Sequence, residues 1–271
     1  MLVAPGRAAA ALLLALALAC AKGEGSSASS RTEKDGSTDS ADGGIAIVTR
    51  TQYRPGPIAQ AGSIAGTVHL EGALPAGAVH QVGSDSARCG PSIVEHVAEA
   101  RDGTLGEVVV WLDDIRTGKA PSELRRIELS HERCQFTPRI LVTSAPSTLN
   151  VLNDDRAVHV TTVSRLGAST PLLAIPFSDN GQVVPTELAA RESGVVEVSC
   201  RQHPWAHAYV ASFDHPYFAV TGPDGRFRLD SVPAGRYTLK LWHPRGARVL
   251  AQPVVVGEGG VVNVEPRMGL R

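Results

Sequence analysis

The chain has 271 residues, with 26 Lys and Arg against 27 Asp and Glu and a formal charge of -1. That length allows one large domain or two small ones with buried cores, and the even charge balance, with no run of one sign, argues against a nucleic-acid stripe or a polybasic membrane patch. Aromatic residues make up 4%, while 27 Gly and 18 Pro break up Val-rich segments, which favours short strands and turns over helices.

In chain order, Arg7 is followed by the apolar run AAAALLLALALA and then Cys20. The run is too short to span a bilayer and has the layout of a secretory signal, so residues 1–19 are expected to be a signal peptide. Ala19 before Cys20 resembles the lipobox of bacterial lipoproteins, with Cys20 as the lipidated first residue, although Ala17 stands where Leu is usual. Plain secretion is the alternative. By the same resemblance, Ala21, not being Asp, points to the outer membrane rather than the rest of the periplasm. The expected location is thus the cell envelope, with a lipid anchor as the membrane contact. Residues 20–61 read as this anchor and a flexible tether, because AKGEGSSASSRTEKDGSTDSADGG carries almost nothing that could form a core.

Folded structure is expected from residue 62. In GSIAGTVHLEGALP, Ile64, Gly66 and Val68 alternate with Ala65 and Thr67 as in an edge strand. GEVVVWLDDI reads as a strand buried on both faces. RIELSHERCQFTPRILVTSAPSTLNVLNDD gives three apolar runs separated by Pro-bearing turns. In GVVEVSC, Val196, Val198 and Cys200 share one phase, which points Cys200 inward off the end of a core strand. The final region is a series of strands with turns at Pro-Asp-Gly, Pro-Ala-Gly and Gly-Glu-Gly-Gly. The chain reads as all-β, built of sandwiches.

Export leaves Cys89, Cys134 and Cys200 in an oxidising compartment, where two would pair. Cys200 has His203 and His207 beside it and the other two have no such company, so the expected disulfide is Cys89–Cys134. Three buried thiols are the bland alternative.

Thr221, Gly225, Phe227, Leu229, Pro233, Gly235, Tyr237 and Leu239 together resemble the carboxypeptidase regulatory-like (transthyretin-type) β-sandwich. The Gly-x-Val start and first apolar strand of that family stand far upstream, in GTVHLEGALP and EVVVWL. The resemblance therefore implies one sandwich, residues 62–116 and 215–271, interrupted by an insert at 117–214; two domains in tandem are the alternative. The insert resembles a cupredoxin of the amicyanin or plastocyanin type, through NDDRAVH (Asn153, His159) and CRQHPW (Cys200, His203, Pro204, Trp205).

This second resemblance implies one type 1-like copper ion, held by His159, Cys200 and His203. A trigonal set of two imidazoles and a thiolate suits both oxidation states of copper. The axial Met of the family falls at Ala206, and the Asn that usually follows the first histidine is Val160. His207 is a conditional fourth ligand, one residue out of phase on a strand. The match of HVAE (His96, Glu99) to a zinc motif reads as chance, HERC (His131) lacks a zincin's second histidine, and His215 and His243 read as turn residues. The expected function is a copper-binding electron carrier of the cell envelope with an unidentified redox partner protein. The competing reading is a non-redox binding, adhesion or scaffold protein with a degenerate cupredoxin fold. Nothing resembles a nucleophile with its base, so no enzyme is expected.

Overall fold

The computed structural model describes residues 52–271, except residue 124 and residues 189–193. The expected signal peptide, Cys20 and the tether as far as residue 51 lie outside the described residues. The fold is all-β: among the described residues the only helix is the single turn Ser86–Cys89, and no helix is long and apolar enough to cross a membrane.

Strands from before and after the insert pair with one another. Val109–Asp113 lies between Phe218–Val220 and Gly235–Trp242, with Leu250–Val256 beyond. Ala61–Thr67 lies between Arg226–Pro233 and Val261–Val264. Ile64, Val68, Val110, Leu112, Phe227, Leu239 and Val256 fill the core that these sheets share. The edge position expected for Ala61–Thr67 is thus corrected to a central one. Its second partner comes from the far end of the chain and approaches so closely that a Cβ at Gly66 would run into Val264 O. Gly225 also has a fixed reason: its φ is +73°, and a Cβ there would meet Val68 O at 2.6 Å.

The expected tether also ends earlier than residue 61. Arg54–Pro55 pairs with Thr117–Gly118, and the Tyr53 hydroxyl donates to Lys119 O at 2.5 Å.

Between these segments the insert closes on itself. One sheet runs Ile140–Ser144, His207–Phe213, Gly194–Cys200, His159–Arg165, Leu173–Phe177; the other runs Gln135–Thr137, Arg126–Glu132, Ser147–Asn153, Gln182–Leu188. Arg126–Glu132 and Ser147–Asn153 are parallel because Ile140–Ser144, between them in sequence, crosses to the opposite sheet. Leu129, Leu149, Val151, Val163, Val196, Val198 and Val210 form this second core.

The strand Val109–Asp113 joins the two bodies, since every residue in it is buried. Val110 and Leu112 face the outer core, while Val109 and Trp111 face a seam with Ile140, Val195, Ala211, Phe213 and Trp242. The period of two that alternates side chains across a sheet divides one strand between two cores.

A charged latch borders the seam. Arg139 of the insert donates to Glu107 (Nε to Oε1, 3.3 Å; Nη2 to Oε2, 3.0 Å) and to Val97 O at 2.8 Å. His96 Nε2 stands 2.9 Å from the same Oε2, so His96 of HVAE serves this ion pair. Burial pushes the Glu107 carboxyl up, but His96 and Arg139 outweigh it and bring its pKa down to about 2. The latch therefore stabilises fully above the ordinary value of 4.5 and its contribution is lost as pH falls from there towards 2. Glu107→Gln is expected to lose on the order of 3 kcal/mol at neutral pH. Guanidinium unfolding of both forms should show that gap narrowing steadily below pH 4.5.

Candidate metal centre

Two neighbouring strands of the five-stranded sheet place the site. His159 opens His159–Arg165 and Cys200 ends Gly194–Cys200, its antiparallel neighbour, with Thr161 opposite Cys200. His159 is two residues from Thr161 and so shares its face. Asn153, wholly buried, shapes the approach to His159: its amide donates to Asp179 O at 3.0 Å, and its Oδ1 accepts the Asp155 N–H at 3.2 Å. After Cys200 the chain turns tightly, with Ala206 N–H donating to His203 O (2.8 Å) and Cys200 N–H to Ala206 O (3.3 Å). That turn aims His203 back at the sulfur. The Val160 N–H donates to Gln202 Oε1 at 2.6 Å and Arg201 N–H to Val160 O at 2.9 Å. Gln202 thus ties the loop to the backbone of Val160.

The structure brings His159, Cys200 and His203 together. Cys200 Sγ lies 3.6 Å from Nδ1 of each histidine, and the two Nδ1 atoms are 3.1 Å apart. All three side chains are buried. The centre of that triangle is about 2 Å from each corner, close to a metal–imidazole bond of about 2.0–2.1 Å. The outward nitrogens each face a carboxylate: His159 Nε2 is 3.2 Å from Asp155 Oδ2, and His203 Nε2 is 3.4 Å from Asp85 Oδ2. Neither contact is aligned as a hydrogen bond, so the attraction is electrostatic. It favours a proton on Nε2 of each ring and leaves the Nδ1 lone pairs facing the centre.

Protonation follows the same geometry. Burial pushes the His159 imidazole down, but Asp155 and the Cys200 sulfur outweigh it and hold its pKa above the ordinary value. Burial pushes the Cys200 thiol up, while the two histidines bring it below its usual range. Without a metal, the pair leans towards thiolate and imidazolium.

Around the trio stand residues to which the sequence assigned no role at this site. Asp155 also accepts the N–H groups of Arg133 (2.6 Å) and Cys134 (2.7 Å). The ring of His131 stacks on His159 at 3.9 Å and 23°, with Nε2 2.7 Å from Thr161 Oγ1. Burial first, then the charge of His159, pushes the His131 pKa down to about 3, so it stays neutral. Its inward phase with Leu129 in RIELSHE was the available signal. Asp155 sits within the quoted NDDRAVH, four residues before its partner; Asp85 comes from a distant segment with no such signal.

His207 is corrected as a ligand. Its Nδ1 lies 2.9 Å from Glu197 Oε1 and its Nε2 2.9 Å from Pro204 O, on the opposite side of the strand from the trio. Ala206 is buried in the insert core. Cys89 and Cys134 are joined in a disulfide, and Cys89 Sγ is 3.9 Å from His203 Nε2. Trp205 donates its indole N–H to Cys134 O at 2.8 Å and packs against the His203 ring. His215 and His243 are buried turn residues, each accepting a backbone N–H at Nδ1 (Tyr217 and Arg245, both 3.1 Å).

Part of this chain is similar in fold to cupredoxins. No family model matches the chain, and no curated protein does. Among solved structures, a copper-containing nitrite reductase from Thermus scotoductus SA-01 matches 36% of this chain and 24% of its own, at 16% identity and a TM-score of 0.30. This chain thus spans about a quarter of the reductase. A purple cupredoxin from Nitrosopumilus maritimus matches 31% of this chain and 97% of its own, at 20% identity and a TM-score of 0.28. A reduced Cu(I) amicyanin matches 32% and 81%, at 16% identity and a TM-score of 0.28. The likeness is one of fold alone.

Proposed function

We propose that the chain binds one copper ion through His159 Nδ1, Cys200 Sγ and His203 Nδ1 and carries single electrons at the cell envelope, tethered by a lipid on Cys20. The convergence of three buried donor atoms carries this reading. Zinc would want a fourth donor, and among the described residues no further His, Cys, Asp or Glu joins this group. Asp155 and Asp85 face the outer nitrogens rather than the centre. Two imidazoles and a thiolate in one plane suit copper. When bound, copper would supply one-electron redox chemistry.

The residues of the chain provide the rest. Cys200 offers a thiolate already favoured by its neighbours, and the carboxylates of Asp155 and Asp85 orient the two rings. Nearly full burial of the trio excludes water and leaves no room for a carbon substrate. A cleft of about 750 Å³ nearby is lined by Trp205, Ala206 and His207 but by none of the trio. We read the flanking strands as a regulatory-like sandwich that holds the insert, with an unidentified protein as electron donor or acceptor.

Adding Cu(II) to the purified chain is expected to give an intense thiolate-to-copper visible band at one equivalent, which Cys200→Ala abolishes. Colourless protein with no stoichiometric copper would overturn the proposal in favour of a non-redox scaffold.

A further inference from the structure

A second group of potential ligands lies on the outer side of His203. Its ring presents Nδ1 to the inner trio and Nε2 to the Cys89–Cys134 disulfide, and the donor atoms of Cys89, Cys134 and His203 all lie within 4.8 Å of one another. Asp85 Oδ2 is 3.4 Å from the same Nε2 but stands outside this group of donors. While the two sulfurs are bonded to each other they are poor donors. We propose that reduction of this disulfide opens a second metal site, made of two thiolates and His203 Nε2, for a thiophilic closed-shell ion such as Cu(I). It stands whether or not the inner trio holds copper.

The donor set fits such an ion: two soft thiolates and a borderline imidazole favour Cu(I) over a harder ion. The geometry also outlasts the sulfur–sulfur bond, because other contacts hold each cysteine. Cys134 N–H donates to Asp155 at 2.7 Å and Cys134 O accepts the Trp205 indole at 2.8 Å. Cys89 N–H donates to Asp85 O at 2.9 Å, within the helical turn that also carries the carboxylate.

Access is asymmetric. Cys134 is wholly buried, whereas Cys89 is only half-buried and can be reached. A protein dithiol would attack the Cys89 sulfur, form a mixed disulfide and release the Cys134 thiolate; its second thiol would then displace Cys89. The dithiol is oxidised to a disulfide, and Cys89 and Cys134 gain two electrons and two protons. Capture of the ion expels those two protons, while the Nε2 proton of His203 moves to Nδ1 if the inner site is empty and leaves as a third proton if copper holds Nδ1. Because His203 has one nitrogen for each site, an ion at one changes the donor strength left for the other.

The test uses the full chain with Cys20→Ser and Cys200→Ala, which leaves Cys89 and Cys134 as its sole cysteines. Cadmium(II) is titrated before and after treatment with a phosphine reductant that is then removed. The oxidised form is expected to show no thiolate-to-cadmium absorption, and the reduced form to bind one equivalent with that band. Cys134→Ser should abolish the band and His203→Ala weaken the affinity at least tenfold. The proposal is overturned if the reduced chain shows no band, if the band survives Cys134→Ser at full strength, or if reduction erases the near-UV circular dichroism. These outcomes are separate from the copper test, which is made on the oxidised, unsubstituted chain.

Discussion

Asp155→Ala is expected to lower the affinity of the His159–Cys200–His203 trio for copper about 10–100-fold and to cost roughly 2–4 kcal/mol of stability. One carboxylate joins three parts of the site. Its Oδ1 takes the Arg133 N–H, and its Oδ2 takes the Cys134 N–H and faces Nε2 of His159. Arg133 and Cys134 both have positive φ, 50° and 59°, so that turn relies on outside support. Removing the carboxylate strands the buried Cys134 N–H and frees the His159 ring to take the wrong tautomer. Asp155→Asn separates the two effects: one acceptor oxygen remains for the turn, but the negative charge is gone. Stability should then recover by more than half while copper affinity stays near that of Asp155→Ala. Copper titration in the presence of a competing chelator, run beside guanidinium unfolding, reads both quantities. Equal recovery of affinity and stability in Asp155→Asn would mean that the charge does not orient the ligand.

Local pattern carried much of this structure and long-range pairing the rest. The alternation in GVVEVSC placed Cys200 on the core face, where it lies buried, and the Gly- and Pro-bearing turns marked an all-β chain. Cys200 and His159 lie on adjacent strands and His203 on the turn after Cys200; as a set they were implied by the resemblance of two short motifs to a cupredoxin rather than by spacing alone. What surrounds them comes from elsewhere in the chain. Asp85 reaches His203 from a segment that packs on the insert through Val82, Ile93 and the Cys89–Cys134 disulfide, and no local period encodes that contact. His131 was legible only as an inward residue of its strand, since its stacking partner joins from the opposite sheet. The single-residue offset of His207 proved decisive, because one step along a strand exchanges faces. Ala61–Thr67 was misplaced for a related reason: its two glycines look like an edge, yet they exist to admit the closing strand Val261–Val264. Tyr53 was lost in a Gly- and Pro-rich stretch where composition suggests tether and a single hydrogen bond fixes the chain.

The seam is where the two bodies depend on each other, and Phe213→Ala tests it. Phe213 is wholly buried, stacks on Phe218 at 4.9 Å and 19°, and meets Trp111 at 5.7 Å. It is the last residue of an insert strand, yet both aromatic partners belong to the outer sheet. Truncation should cost about 3–5 kcal/mol, the usual range for emptying a phenylalanine site in a core. Where that loss falls matters more than its size. The outer core and the insert core share no residue in common; this seam, the Glu107–Arg139 latch, and the Cys89–Cys134 disulfide with the cluster around it link the two bodies. A cavity in the seam should therefore weaken coupling and split unfolding into two transitions. Leu149→Ala, a cavity inside the insert core alone, should lower stability by a similar ~3–5 kcal/mol while the seam stays intact. Trp111 and Trp242 lie in the seam and Trp205 beside the metal site, so in a Trp205→Phe background fluorescence follows the seam and near-UV circular dichroism the whole. If the two signals stay coincident in Phe213→Ala, the bodies are coupled by the latch, the Cys89–Cys134 disulfide and the chain crossings rather than by this cluster.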